Sequence, residues 1–168
     1  SVSLPYETFY TATKSSIERL GKAFVNKYDK PIVSIRPYSV YGIDDDPNHF
    51  IPTAIRCFKF DEKLKLAEGM HDWIHVDDLI SGVLKIMENI EALRGQFIYI
   101  GTGRQTSNKS IIGSLRMISS KPGNIIQVEK MRAYDTNLWV ANTAVIKSLG
   151  WQPIHELEDD LEILYETY

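Results

Sequence analysis

The chain has 168 residues, of which 43% are hydrophobic and 24% are charged, and its formal net charge at pH 7 is -3. This composition is typical of one globular domain with a real core and excludes a disordered chain. The near-balanced charge argues against nucleic acid as a partner, and no apolar run approaches the roughly 18–20 residues of a membrane span. Cys57 is the single cysteine, which excludes an intrachain disulfide and fits a reducing cytoplasm.

Helix and strand signals alternate along the chain. Ile17, Leu20 and Phe24 recur at spacings of three and four residues, which is typical of an amphipathic helix. In chain order, the first half predicts a helix over 9–28, a strand over 32–35, a turn-rich loop over 41–48, a helix over 51–60, a strand over 64–66 and an extended segment over 73–76. The second half predicts a helix over 77–88, a strand over 96–100, a helix after Ser107, a strand over 125–128 and helices over 143–149 and 157–165.

Several helix ends carry typical capping residues. Asp77 is predicted to be the N-cap of the 77–88 helix, and Ser107 the N-cap of the helix that follows it. Asn142 is predicted to cap the 143–149 helix, with Gly150 at its C′ position. The inner face of the 77–88 helix is predicted to consist of its apolar side chains, which are Leu79, Ile80, Val83, Leu84 and Met87.

The alternation of helices with short apolar strands predicts the fold class. Strands of this kind suit burial on both faces, which is typical of an α/β fold with a largely parallel sheet. The stretches 39–73 and 101–168 are less regular. We therefore expect them to form a second, smaller lobe, interleaved with a sheet domain built from 1–38 and 74–100.

The sharpest chemical motif is the Tyr-x-x-x-Lys spacing of Tyr10 and Lys14 on the first predicted helix. Residues four apart share one helix face at about 5–6 Å, so an ammonium can lie beside a phenol. A phenol is a poor base at neutral pH, and a nearby ammonium stabilises its phenolate form. Such a tyrosine can remove a hydroxyl proton while a hydride leaves the same carbon. The spacing is common by chance, so its meaning depends on its context.

Five further motifs follow in order along the chain. They are Arg36-Pro-Tyr-Ser-Val-Tyr-Gly42, Asp72-Trp-Ile-His-Val-Asp77, Phe97-Ile-Tyr-Ile-Gly101-Thr-Gly103, Arg132-Ala-Tyr-Asp135 and Leu149-Gly-Trp-Gln-Pro153. The series resembles the C-terminal half of the extended short-chain dehydrogenase/reductases, specifically the NAD-dependent sugar-nucleotide epimerase/dehydratase family, in its UDP-glucose 4-epimerase-like form. The resemblance covers essentially the whole chain. It implies the C-terminal part of a Rossmann-like parallel sheet with an interleaved substrate lobe.

The resemblance also implies roles for individual residues. Tyr10 corresponds to the catalytic acid/base, and Lys14 to the lysine that assists it and bonds the nicotinamide ribose of NAD. The implied cofactor-binding residues are Tyr10, Lys14, Pro37 and Tyr38, and the residues implied to bind a nucleotide sugar are Ser39, Phe50, Ile51, Pro52, His71 and Arg132. Because the catalytic-tyrosine helix of the family pairs across a two-fold axis, a homodimer through the 9–28 helix is expected.

Two of these positions depart from the family pattern. Ser39 stands where the family has Asn, and a hydroxyl offers fewer hydrogen bonds than an amide. His71 stands where the family has an Arg that binds the diphosphate, and a mostly neutral imidazole cannot form a bidentate contact with phosphate. A weaker or different anion contact is therefore expected, with Arg132 carrying more of that duty.

Much of the family's cofactor site has no counterpart in this sequence. No Gly-x-x-Gly-x-x-Gly turn occurs, and only nine residues precede Tyr10, so the Ser or Thr of the catalytic triad is also missing. Because the chain begins at Ser1, we expect a fragment of an NAD-dependent nucleotide-sugar epimerase that lacks its dinucleotide-binding half, does not bind NAD alone and is inactive by itself. Two alternatives stay open: a non-catalytic sugar-nucleotide-binding or dimerisation domain derived from this family, and a nucleotide-sugar dehydratase.

No metal site is expected from the spacing of ligand residues. His49, His75 and His155 are scattered along the chain and match no paired pattern such as His-Glu-x-x-His. Structural roles are expected for them.

Overall fold

The computed structural model describes residues 8–129 and 138–168, in which helices and short strands alternate. The helices are α1 (Phe9–Tyr28), α2 (Phe50–Phe60), α3 (Val76–Glu88), α4 (Asn108–Ser119), α5 (Ala144–Ser148) and α6 (Leu157–Thr167). The strands are β1 (Ser34–Pro37), β2 (Ser39–Tyr41), β3 (Leu64–Leu66), β4 (Met70–His71), β5 (Trp73–His75), β6 (Phe97–Ile100), β7 (Thr106–Ser107) and β8 (Ile125–Gln127). The α/β alternation predicted from the sequence is confirmed.

Most strand pairs are parallel. β1 pairs with β6, β2 with β5 and β3 with β8, all in parallel, whereas β4 and β7 pair in antiparallel fashion. Each parallel pair joins strands separated by at least one helix, which is the crossover that parallel pairing requires. The register of the first pair runs from Ser34 opposite Phe97 to Pro37 opposite Ile100. The prediction of a largely parallel sheet is therefore confirmed.

Two hydrophobic clusters pack the described residues. The first lies among α2, α4 and α6, and its fully buried side chains include Ile55, Phe58 and Leu115. The second surrounds β5, α3 and β6 and includes Ile98 and Trp151. Each buried side chain of this size contributes about 1.5–3 kcal/mol, so burial in these two clusters is the main favourable term in folding.

The start of α3 differs from its prediction. The helix begins at Val76, and its N-cap is His75 rather than Asp77. Nδ1 of His75 accepts the backbone N–H of Asp77 at 3.2 Å. The imidazole thus takes the capping role that the sequence assigned to a carboxylate, since its ring nitrogen reaches the same orphan backbone donor.

The buried face of α3 also differs from its prediction. The buried stripe is Asp78, Gly82 and Ile86, whereas three of the predicted inner residues are exposed, namely Ile80, Leu84 and Met87. A Cβ on Gly82 would lie only 3.1–3.3 Å from side chains of the second cluster. Leu79 and Val83 pack against the second cluster, as predicted. The buried positions also include Gly82 and the hydrogen-bonded Asp78, which a hydrophobicity pattern does not reveal.

The other capping predictions hold in most details. The hydroxyl of Ser107 accepts the backbone N–H of Ser110 at 3.0 Å, as expected for the N-cap of α4. Thr143 occupies the N-cap position of α5, while Oδ1 of Asn142 accepts the N–H of Ala144 at 3.2 Å. Gly150 follows α5 with φ of 81°, the left-handed conformation that favours glycine at C′.

α1 covers its predicted range but lies on the surface, and none of its residues is buried. Its inward side is formed by small residues such as Gly21, which lies against Ile32. Its apolar side chains point outward and are exposed, namely Ile17, Leu20, Phe24 and Tyr28. In the part of the chain that the structure describes, no helix is both long and apolar enough to cross a lipid bilayer.

Candidate active site

Tyr10 and Lys14 lie together in the N-terminal half of α1, as their spacing predicts. Nζ of Lys14 lies 5.4 Å from the centroid of the Tyr10 ring. The phenol side chain is 70% exposed, so a ligand can approach it from solvent.

Arg36 in β1 ties α1 to the sheet. Its guanidinium donates to both carboxylate oxygens of Glu18 at 2.6 Å, and to the hydroxyl of Tyr99 at 2.9 Å. The hydrogen bond from Arg36 lowers the pKa of Glu18, and the carboxylate raises the pKa of Arg36 in return. The bidentate pair fixes the orientation of the Tyr10 helix relative to the end of β1.

Pro37 and Tyr38 lie at that end of β1. Tyr38 packs against Tyr99 and Trp139, with ring centroids 6.3 Å and 5.5 Å away. Burial raises the pKa of Tyr38, so its phenol stays neutral at physiological pH. Pro37 is exposed. The strand end therefore presents an exposed ring beside an aromatic cluster.

Ser39 and His71, the two positions that depart from the family pattern, are in contact. Oγ of Ser39 lies 3.2 Å from Nδ1 of His71. The His71 ring also packs on Trp73, which stacks in turn on Phe50 at 6.2 Å. The structure thus brings together three of the residues predicted to bind substrate, namely Ser39, Phe50 and His71.

The remaining predicted substrate residues have different surroundings. Ile51 and Pro52 are buried in α2, and Ile51 belongs to the first hydrophobic cluster. Their side chains pack in the core, whereas the adjacent Phe50 is only partly buried at the start of this segment. Arg132 lies outside the described residues.

Asp72 is a buried residue to which the sequence assigned no role. One of its carboxylate oxygens accepts the N–H and the hydroxyl of Thr102 at 2.7 Å, and the other accepts the N–H groups of Gly103 and Ala141 at 2.9 Å. A Cβ on Gly101 would lie 2.8 Å from this carboxylate and 2.6 Å from Ala141. The sequence signal for this role is an aspartate that directly precedes a buried strand, together with the Gly-Thr-Gly segment later in the chain.

A cavity of about 230 Å³ adjoins the Ser39–His71 pair. Trp73, Thr106 and His155 are among its lining residues. Thr106 pairs with His71 across the β4–β7 ladder, so the cavity lies beside that pair. A cavity with aromatic and polar walls can hold a small polar molecule.

Relatives of known function place this arrangement in a family. The chain is 30% identical over 163 residues to CDP-abequose synthase from Salmonella typhimurium, an alignment that covers 92% of this chain and 54% of the relative. It is 28% identical to dTDP-glucose 4,6-dehydratase from Streptomyces griseus, with coverage of 95% and 49%. The chain therefore spans about half the length of these relatives.

Solved structures share the same fold. The UDP-glucuronic acid 4-epimerase from Bacillus cereus, solved with UDP-glucuronic acid and NAD, matches with a TM-score of 0.86 and 27% identity, over 99% of this chain and 55% of the epimerase. The UDP-glucose 4-epimerase from Thermotoga maritima, solved with UDP-glucose, matches with a TM-score of 0.81 and 25% identity, over 94% of this chain and 52% of that protein. Residues 1–101 match the family model described as the NAD dependent epimerase/dehydratase family. The chain belongs to this family, as the order of its motifs predicted.

Proposed function

We propose that this chain is the C-terminal part of an NAD-dependent nucleotide-sugar epimerase. Tyr10 removes a proton from a sugar hydroxyl, and Lys14 stabilises the phenolate that accepts it. NAD, when bound, would supply a reversible hydride acceptor: the hydride that leaves the same carbon would return to the opposite face of the resulting ketone, so the sugar undergoes no net oxidation. The observation that carries the proposal is the accessible Tyr10–Lys14 pair, whose helix is fixed to the strand end by Arg36 and Glu18.

The described residues suit only the nicotinamide half of NAD. Tyr10 and Lys14 offer a phenol and an ammonium to the nicotinamide ribose, with Pro37 and Tyr38 as a wall beside them. The sequence offers no glycine-rich turn for the pyrophosphate, which requires backbone N–H groups at a helix N-terminus. We therefore propose that this chain alone binds NAD too weakly for turnover and is inactive by itself.

For the nucleotide sugar, we propose a binding surface around Ser39, Phe50 and His71, together with the backbone of 51–52 and Arg132. The hydrogen bond between Ser39 and His71 and the stack of Phe50 on Trp73 support this assignment. A hydroxyl and an imidazole give the diphosphate single hydrogen bonds in place of a bidentate contact. Most of the affinity then has to come from the base and sugar contacts.

The proposal extends to the organisation of the protein. The two hydrophobic clusters support a division into a sheet domain, 1–38 and 74–100, and a substrate lobe, 39–73 and 101–168. Ile146 and Trp151 are exceptions, because they lie in the lobe's range but pack in the second cluster, with the sheet domain.

The exposed apolar stripe of α1 supports a homodimer through the Tyr10 helix. The single buried thiol, Cys57, whose pKa is raised by burial, fits a cytoplasmic protein.

A second candidate function is a non-catalytic sugar-nucleotide-binding or dimerisation domain. The observation that favours it is the Ser39–His71 contact, since two residues expected to bind the nucleotide sugar bond each other instead. A dehydratase is a third outcome, in which the same proton removal is followed by loss of water. The dTDP-glucose 4,6-dehydratase relative supports that variant of the reaction.

The decisive experiment measures turnover in a protein completed with an N-terminal half that carries the glycine-rich turn. Tyr10→Phe should lower kcat by about 10²–10⁴ and leave nucleotide-sugar affinity nearly unchanged, because it removes a positioned acid/base and no binding contact. Tyr28→Phe, on the same helix, is the matched control and should keep full activity. A product with an inverted hydroxyl supports the epimerase and a deoxy-keto sugar the dehydratase, whereas sugar binding without any turnover supports the non-catalytic domain.

A further inference from the structure

Two histidines that are far apart in the chain meet a buried carboxylate where α3 and α6 begin. The rings of His75 and His155 stack with centroids 3.9 Å apart and planes 16° apart. Nδ1 of His155 lies 3.3 Å from the carboxylate of Asp160. One donor atom from each of these three side chains lies within 4.8 Å of the other two.

Neighbouring groups hold two of the three side chains in place. The buried carboxylate of Asp78 accepts the backbone N–H groups of Ile154 and His155 at 3.1 Å and 3.0 Å. The hydroxyl of Tyr41 donates to Oδ2 of Asp160 at 2.6 Å. This hydrogen bond orients the carboxylate, both of whose oxygens lie 3.3 Å from Nδ1 of His155.

His75 also has a supporting carboxylate. Its Nδ1 accepts the backbone N–H of Asp77 at 3.2 Å, and a carboxylate oxygen of Asp77 lies 3.7 Å from the same nitrogen. For Nε2 to become a ligand, the ring proton has to move to Nδ1, which then gives up the N–H of Asp77 and donates to this carboxylate oxygen instead. Imidazoles that bind metals in proteins usually have such a partner on the second nitrogen.

The electrostatic surroundings favour a cation. The first turn of α3 contains Asp77 and Asp78, and that of α6 contains Glu158, Asp159 and Asp160. These carboxylates more than offset the partial positive charges of the two helix N-termini. The nearby guanidinium of Arg104 is already paired with Glu156 at 2.5 Å.

We propose that His75, His155 and Asp160 form a binding site for a divalent transition metal ion such as Zn²⁺. Two imidazole nitrogens and one carboxylate oxygen are a donor set that Zn²⁺ and Co²⁺ accept, with one position open. Donors of a tetrahedral zinc site are about 3.4 Å apart, so these three, which lie within 4.8 Å of one another, must close by up to about 1.4 Å. The two rings must then tilt out of their stack. The cavity lined by His155 gives the ion a route from solvent.

The ion would link residues that adjoin the two hydrophobic clusters. His75 directly follows Ile74 of the second cluster, and Asp160 directly precedes Leu161 of the first. A ligand that binds only the folded chain stabilises it by mass action. Bound metal should therefore raise the melting temperature of the chain, and a chelator should reverse the increase.

The test is a titration of the chelator-treated full chain with Zn²⁺, and with Co²⁺ as a spectroscopic probe. We expect one equivalent of Zn²⁺ to bind in calorimetry, and Co²⁺ to give the absorption bands of a four-coordinate nitrogen–oxygen site. His75→Gln and His155→Gln should each weaken binding at least 10-fold. His49→Gln is the matched control, because His49 forms an exposed pair with Asp45 at 2.8 Å but has no second imidazole beside it in the described structure.

A measurement on the unsubstituted chain covers the case in which a variant fails to fold. The ring resonances of His75 and His155 should shift on addition of Zn²⁺, while those of His49 should not. The absence of saturable binding below about 100 μM overturns the proposal. So does a loss of binding in His49→Gln equal to that in His155→Gln, or a Zn²⁺ titration in which the His75 and His155 resonances stay unchanged.

Discussion

At the scale of single residues, buried carboxylates hold the loops around the candidate site. Asp72 fixes the Thr102–Gly103 turn and Ala141, Asp78 fixes 154–155, and Asp160 is held by Tyr41. Each carboxylate accepts N–H or O–H groups that are buried or partly buried, and leaving a buried group without a partner costs about 1–3 kcal/mol. These aspartates therefore order segments that have little regular secondary structure.

Asp72 provides the clearest test of this arrangement. Asp72→Ala should lower the free energy of unfolding by about 3–5 kcal/mol, because it leaves several buried donors unpaired and opens a cavity. Chemical denaturation followed by far-UV circular dichroism measures the change. Glu68→Ala, which removes an exposed carboxylate nearby in the chain, should change stability by less than about 0.5 kcal/mol. Equal losses in the two variants would show that burial of Asp72 is not the cause.

The residues of the candidate site could be predicted from the sequence only in part. The Tyr10–Lys14 pair depends on helical spacing, a local property, and the structure places it as the spacing requires. The contacts of Ser39 with His71 and of His75 with His155 join residues from different elements. Such contacts are set by the tertiary packing of strands and loops, so no spacing in the sequence reveals them.

At the scale of elements, α1 depends on polar contacts for its position. It has no buried side chain, and the bidentate pair of Glu18 with Arg36 is a main connection between this helix and β1. The other predicted helices are close to their expected ranges because propensity and capping are local. The predicted inner face of α3 is wrong at Ile80, Leu84 and Met87. The helix packs closely at Gly82 and at the hydrogen-bonded Asp78, and hydrophobic periodicity does not reveal such positions.

The lowered pKa of Glu18 predicts that acid loosens α1. A carboxylate whose pKa is depressed in the folded state stabilises that state above its ordinary value of 4.5, and the contribution is lost as the pH falls through the lower folded value. Because the pair is partly exposed, we expect an effect of about 1 kcal/mol or less. Between pH 5 and pH 3, roughly, amide protection in α1 should fall up to about five-fold in hydrogen exchange corrected for intrinsic rates.

Glu18→Gln serves as the control for this pH effect. The variant should show the loosened α1 already at neutral pH and little further change on acidification, since the titrating group is gone. Amides of α4 should behave alike in both proteins. If the acid-induced loss of protection in α1 persists unchanged in the variant, another carboxyl group is its cause.

At the scale of the whole molecule, the cofactor site is incomplete in this sequence. In the proposed site, Tyr10, Lys14 and the end of β1 would contact only the nicotinamide side of the dinucleotide, and the sequence contains no glycine-rich turn for the pyrophosphate. We expect this chain to bind NAD more weakly than about 1 mM, which is about 4 kcal/mol of binding free energy. Calorimetric titration with NAD and with nucleotide sugars measures both affinities. Micromolar NAD binding by this chain would contradict the expectation.

The exposed apolar stripe of α1 predicts association. Ile17, Leu20 and Phe24 face outward and are more than half exposed, and the exposed apolar residues of α3 add further surface of the same kind. Apolar side chains that are exposed together on one helix face are stabilised by burial against a partner. We expect light scattering at micromolar concentration to give a homodimer or larger species of the 19.2 kDa chain.

Substitution of the stripe should separate association from folding. Leu20→Glu combined with Phe24→Glu places two like charges at the expected contact, where their burial is costly, so the variant should be a monomer with an unchanged circular dichroism spectrum. Met117→Glu, at a residue of α4 that is 82% exposed, is the matched control and should leave the assembly intact. An assembly that survives the double substitution would exclude α1 from the interface and direct attention to Ile80, Leu84 and Met87 on α3.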